Sequence, residues 1–171
     1  MKRLPRLVLL TLCVISIAGL ASATTWTLSN SNGGDGYVVT TPTGFQLWGA
    51  DNGVGSNYTI YIFTATAAET LTLPWVYTSY DCCSSYWDPA GYTLNGGAYQ
   101  LSADNLYGSQ SGVLNISLNA GDNFGFYVYS RDSVLGRGEI SVTTTPEPGT
   151  LALLGSGLLA GLGVIRRKLL L

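Results

Sequence analysis

VLNISLNAGDNFGFYVYS, residues 113–130, is the stretch that decides the fold. In its first half Leu114, Ile116 and Leu118 point one way while Val113, Asn115, Ser117 and Asn119 point the other. In its second half Phe124, Phe126 and Val128 oppose Gly125, Tyr127 and Tyr129. Side chains leave a strand on alternate faces, so this period of two predicts strands rather than helix. The Asn-Ala-Gly-Asp-Asn run between the halves, residues 119–123, is turn chemistry.

The same pattern extends outward. In NYTIYIF, residues 57–63, Tyr58, Ile60 and Ile62 share one face and Thr59, Tyr61 and Phe63 the other. Turn-forming runs such as NSNGGDG, ADNGVGSN, LNGG and LGRG punctuate the chain. Strands are expected near 25–29, 36–40, 44–49, 57–65, 70–78, 90–94, 97–102, 112–119, 123–130 and 137–144. That spacing predicts an all-β, jelly-roll-like antiparallel sandwich. Pro74 is then expected at a strand edge or bulge, since it has no N–H to give a ladder.

The chain has 171 residues, room for one domain, and both of its ends read as targeting segments. Lys2, Arg3 and Arg6 precede an apolar run from Leu7 to Leu20, and Ala21-Ser22-Ala23 supplies a cleavage site. Residues 1–23 are therefore expected to be a secretory signal peptide with a helical apolar segment. The body, residues 24–145, holds two basic residues, Arg131 and Arg137, against nine acids, a net charge of −7. Such a surface repels phosphate backbones, so nucleic acid is not an expected partner. The chain contains no histidine, the commonest general base and metal ligand.

The closing stretch, residues 146–171, combines Pro146-Glu147-Pro148, an apolar Leu/Gly segment and the basic cluster Arg166-Arg167-Lys168. A helix over Leu151–Ile165 would span about 22 Å, short of the roughly 30 Å hydrocarbon core, and snorkelling of the flanking arginines would extend it. The basic cluster favours the cytoplasmic side, which leaves the body outside the inner membrane. The three-part order resembles a PEP-CTERM sorting signal, a tail pattern also labelled an ice-binding protein C-terminal motif, a label that here implies no ice binding. The resemblance implies a Gram-negative-type bacterium, processing near Pro146-Glu147-Pro148 by an exosortase, transient membrane anchoring, and delivery to the cell surface or exopolysaccharide matrix.

A second resemblance lies in the body. YDCCSSYWDPAGYTLNGGAYQLS, residues 80–102, and the run from Ser111 to Val142 are similar to a recurrent β-sandwich domain of exported bacterial proteins. The similarity rests on Asp88 to Tyr92, Asn95-Gly96, Ala120 to Phe126, Asp132 and Gly136-Arg137. It implies a sandwich in an extracellular setting, and no catalysis.

Several residues are candidates for chemistry. Cys82 and Cys83 suit a vicinal disulfide in an oxidising compartment, a link between chains, or free thiols. Asp51, Asn52 and Asn57 in one loop and Asp122 and Asn123 in another could offer oxygens to calcium, or simply stabilise turns; no other cofactor or metal is expected. Asp81, Asp88, Asp104 and Asp132 could supply a catalytic carboxylate pair. The plainer reading makes Asp88 and Asp132 turn caps or partners of Arg131 or Arg137. Trp75, Tyr86, Trp87 and Tyr92 are candidate glycan-stacking rings, competing with a role in the core. These features point to a non-catalytic surface or matrix protein associated with exopolysaccharide. A lectin-like module is the first alternative and a carbohydrate-active enzyme the second.

Overall fold

The computed structural model describes residues 25–144 and the helical Gly157. The expected signal helix and, apart from Gly157, the expected hydrophobic helix of the closing stretch lie outside the described residues. Among the described residues no helix is long and apolar enough to cross a membrane.

Among the described residues ten strands form: β1 (Thr27–Asn30), β2 (Tyr37–Thr41), β3 (Gly44–Trp48), β4 (Asn57–Thr64), β5 (Glu69–Ser79), β6 (Ala90–Leu94), β7 (Gly97–Gln100), β8 (Ser109–Leu118), β9 (Asn123–Ser130) and β10 (Gly138–Thr143). They build two five-stranded sheets, β1-β4-β9-β6-β7 and β2-β3-β10-β5-β8. Every pairing is antiparallel. The pairs β3–β10, β4–β9, β5–β8 and β6–β7 nest inside one another, the arrangement of a jelly roll. The 119–123 turn is therefore not a hairpin: it carries the chain from β8 in the second sheet to β9 in the first.

The inner faces follow the alternation. Phe63, Phe124, Phe126 and Val128 from the first sheet meet Phe45, Leu47, Leu73, Tyr77, Ile140 and Val142 from the second. Trp26 closes one end, with ring centres 4.6 Å from Phe63 and 5.2 Å from Phe45. Among the described residues this core and the partly buried side chains packed on it run from Trp26 to Val142, inside the expected body, residues 24–145.

Pro74 lies on β5, an interior strand, and not at a sheet edge. The β5–β10 pairing runs only as far as Trp75, so Pro74 sits just beyond the last rung on that side and no β10 hydrogen bond is lost.

Candidate functional site

The Asp-Pro segment leads the loop after β5 back into β6 and buries its acid. Asp88 is 1% exposed, and neither carboxylate oxygen has a hydrogen-bond partner among the described residues. Burial pushes its pKa up to about 7. The Ser130 hydroxyl works in the opposite direction, while the negative charges of Asp81, Asp132 and Asp51 add to the rise. The Asp88 carbonyl accepts a 2.7 Å hydrogen bond from the fully buried Tyr77 hydroxyl. Tyr77→Phe would leave that carbonyl without this partner. It is expected to lower unfolding stability by about 1–3 kcal/mol, read as a shift in the urea midpoint.

Asp88 neither caps a turn nor pairs with an arginine, which corrects the plainer sequence reading. Arg137 instead bonds Asp35, 2.6 Å from its Oδ2, and donates to the Gly49 carbonyl. The Arg137 guanidinium holds the Asp35 carboxyl below its ordinary value. Asp132 does accept a turn bond, from the Val134 amide. Asp81 accepts from the Cys83 amide, and burial raises its pKa. Asp104 lies on a different loop and accepts from Gln100. Asp88, being inaccessible, is not presented to any substrate.

Cys82 and Cys83 are joined as a vicinal disulfide on the exposed part of this loop. With Asp81 they are the one grouping among the described residues whose donor atoms lie close enough to share a metal ion, and both sulfurs are used in the bond. Apart from the Asn57 oxygen, which is buried without a hydrogen-bond partner among the described residues, the candidate calcium residues each have an oxygen engaged in loop geometry. Asp51 accepts from the Gly136 amide, Asn52 from the Val54 amide, and Asp122 from Asn95 and the Asn119 amide. Asn123 accepts from Thr64. The Asn57 side chain is buried and donates to Ser133 and the Gly55 carbonyl.

The four candidate stacking rings separate. Trp75 is a core residue, 9% exposed, with its ring over Gly112 of β8, where an added Cβ would stand 2.8 Å away. Tyr92 packs inward, 5.0 Å from Tyr99 and 6.1 Å from Phe124. Tyr86 and Trp87 remain near the surface, edge to face at 5.4 Å. Loop position spares them the inward alternation that captures the other two.

Tyr86 belongs to a larger aromatic row that sequence proximity does not reveal. Tyr58 on β4 and Tyr129 on β9 are cross-strand partners on the outer face of the first sheet, stacked at 4.3 Å. Tyr127 lies edge-on to Tyr58 at 5.5 Å and packs against Gly91, where a Cβ would come within 2.8 Å of the ring. Arg131, one strand period beyond Tyr129, sits 5.5 Å from that ring centre and 4.2 Å from Tyr86, and its Nε donates to the Tyr86 carbonyl. The result is a row from Tyr58 through Tyr129 and Arg131 to Tyr86, with Tyr127 buried against it at 5% exposure. Tyr58 and Tyr86 are 36% and 38% exposed. The outward positions of Tyr58, Tyr127 and Tyr129 were legible from alternation, and their convergence with Tyr86 was not.

Comparison with known proteins bears on the tail and on the rest of the chain separately. Residues 144–168 match the PEP-CTERM protein-sorting motif. No curated protein matches the chain. Among solved structures, it is similar to a family 35 carbohydrate binding module from Clostridium thermocellum, at 13% identity and TM-score 0.41, over 72% of this chain and all of that one. It is also similar to a family 35 module from Cellvibrio japonicus, at 17% identity and TM-score 0.39, over 71% of this chain and 95% of that one. A family 61 module solved with β-1,4-galactotriose gives 11% identity and TM-score 0.39, over 70% of this chain and 84% of that one.

Proposed function

We propose that this is a non-catalytic surface or matrix protein, exported by its signal peptide and processed at its tail by an exosortase. Its body holds the neutral exopolysaccharide around the producing cell. The tail supports the route: the sorting motif is present at residues 144–168, and proteins carrying it are exported and sorted to the cell surface.

The observation that carries the binding reading is the row Tyr58, Tyr129, Arg131, Tyr86 on the outer face of the first sheet, with the buried Tyr127 supporting Tyr58 edge-on. Tyrosine offers an apolar ring face to the C–H side of a pyranose and a hydroxyl to its oxygens. Arg131 is stacked on two rings and tethered to the Tyr86 backbone, so its remaining N–H groups are held in place beside them. The −7 body disfavours a polyanion as the main ligand. Cross-strand tyrosines would stabilise a sheet even without a ligand, so the test must separate the two roles.

In pull-downs with the neutral exopolysaccharide fraction of the producing bacterium, Tyr58→Ala/Tyr129→Ala is expected to weaken binding about tenfold, the cost of about 1.4 kcal/mol at aromatic anchors. The circular dichroism spectrum should be unchanged. Unaltered binding by this folded variant would remove the row as the site.

A further inference from the structure

We infer that the body has a second sugar-binding face on the opposite sheet, and that one molecule therefore cross-links two polysaccharide chains. The inference rests on the carbohydrate reading above and adds a second site and a mechanical role to it.

The second face is built from Tyr37, Trp48 and Tyr80. Tyr37 and Trp48 are directly paired residues of β2 and β3, with ring centres 5.8 Å apart and planes within 9°. Tyr80 follows the end of β5 and reaches to within 5.4 Å of Trp48, with planes within 19°. Three nearly parallel rings thus stand in a row. Its ends are open, with Tyr37 41% and Tyr80 56% exposed. Trp48 leaves β3 on the face opposite to Phe45 and Leu47, which enter the core from that strand, and Tyr37 is its direct partner on β2.

The row is also held in place. The Tyr80 amide donates to the Arg137 carbonyl, and its hydroxyl to Glu139 at 3.3 Å. Arg137 lies over the Tyr37 ring at 5.6 Å, itself fixed by Asp35 and the Gly49 carbonyl. Rings fixed before contact lose little freedom on binding. Glu139, buried at 8% exposure, accepts from Ser141 and from Tyr80 and so anchors the Tyr80 end of the row. Arg137 is neutralised by Asp35, and the face carries Glu139, so a neutral polymer fits and an acidic one does not.

The two rows lie on opposite outer faces of a sandwich whose sheets pack about 10 Å apart. A chain stacked on one row cannot lie on the other without bending round the edge of the body. Two occupied faces therefore join two chains, and many such molecules turn a solution of polymer into a network.

The test mixes residues 24–145 with the neutral exopolysaccharide fraction of the producing bacterium and follows the apparent polymer mass by light scattering. Wild type is expected to raise that mass severalfold. Tyr58→Ala/Tyr129→Ala and Tyr37→Ala/Trp48→Ala should each still bind, more weakly, and each fail to raise it. Combining the four substitutions should abolish binding. Tyr80→Ala, at an exposed position outside any strand, serves should the Trp48 variant fail to fold. Cross-linking at wild-type level by the folded second-face variant would overturn the second site while leaving the first standing. The same holds if the second-face variant binds with unchanged affinity. Wild-type binding by the combined variant would instead overturn both rows as the sites, and absence of binding by the folded wild type would overturn the carbohydrate reading itself.

Discussion

Raising the pH from 5 to 8 is expected to cost the body about 2–3 kcal/mol of unfolding stability, most of it at Asp88. The carboxyl has a folded-state pKa of about 7 against an ordinary value of 3.8. Between these values the folded protein binds the proton and the unfolded chain releases it. Stability therefore falls as pH rises, because ionisation draws the chain toward the unfolded state. The contribution is fully present below about pH 4 and lost by the time pH passes 7. Asp35 and Asp122, whose values are lowered, act in the opposite sense and only at more acidic pH. Asp88→Asn removes the charge at nearly constant shape, so the slope between pH 5 and 8 should collapse and the variant should exceed wild type at pH 8. Urea midpoints at the two pH values measure both effects. An undiminished slope in the variant would move the cause elsewhere, with Asp81 next in line because its value is raised too.

Replacing Pro146-Glu147-Pro148 by three alanines is expected to abolish processing nearly completely. Two prolines within three residues disfavour both helix and central strand, and a protease requires an extended substrate. Alanines have the highest helix propensity and would let the adjoining apolar segment extend backwards through the site. A full-length, membrane-held species should accumulate, and the trimmed form should vanish from surface and medium fractions on an immunoblot. Normal trimming of the variant would refute exosortase recognition of this motif.

Legibility in the sequence followed the range of the interaction. Strand positions were readable because the period of two is a local signal. All ten strands fall where alternation placed them, to within a few residues. The fate of Trp75 was less readable, because it depends on Gly112, a cross-strand neighbour 37 residues away that leaves room for the ring. Proximity along the chain grouped Trp75, Tyr86, Trp87 and Tyr92, whereas alternation sends Trp75 and Tyr92 inward and leaves the other two on a loop. Both aromatic rows join residues distant in sequence: Tyr58 meets Tyr129, and Trp48 meets Tyr80. The pairing of Arg137 with Asp35 spans 102 residues, and no local rule selects it over Asp88 or Asp132.

The last strand of the body, β10, is not at an edge. It lies between β3 and β5, with five paired residues on each side, and the chain leaves it directly for the tail. Tension transmitted from the C-terminal end therefore enters the middle of a sheet. Pulled along its length, β10 can slide out only by breaking both ladders together in shear, whereas an edge strand such as β1 would peel away rung by rung. Were the protein held from its C-terminal end while polymer drags on its faces, the load would enter through an interior strand and not through an edge.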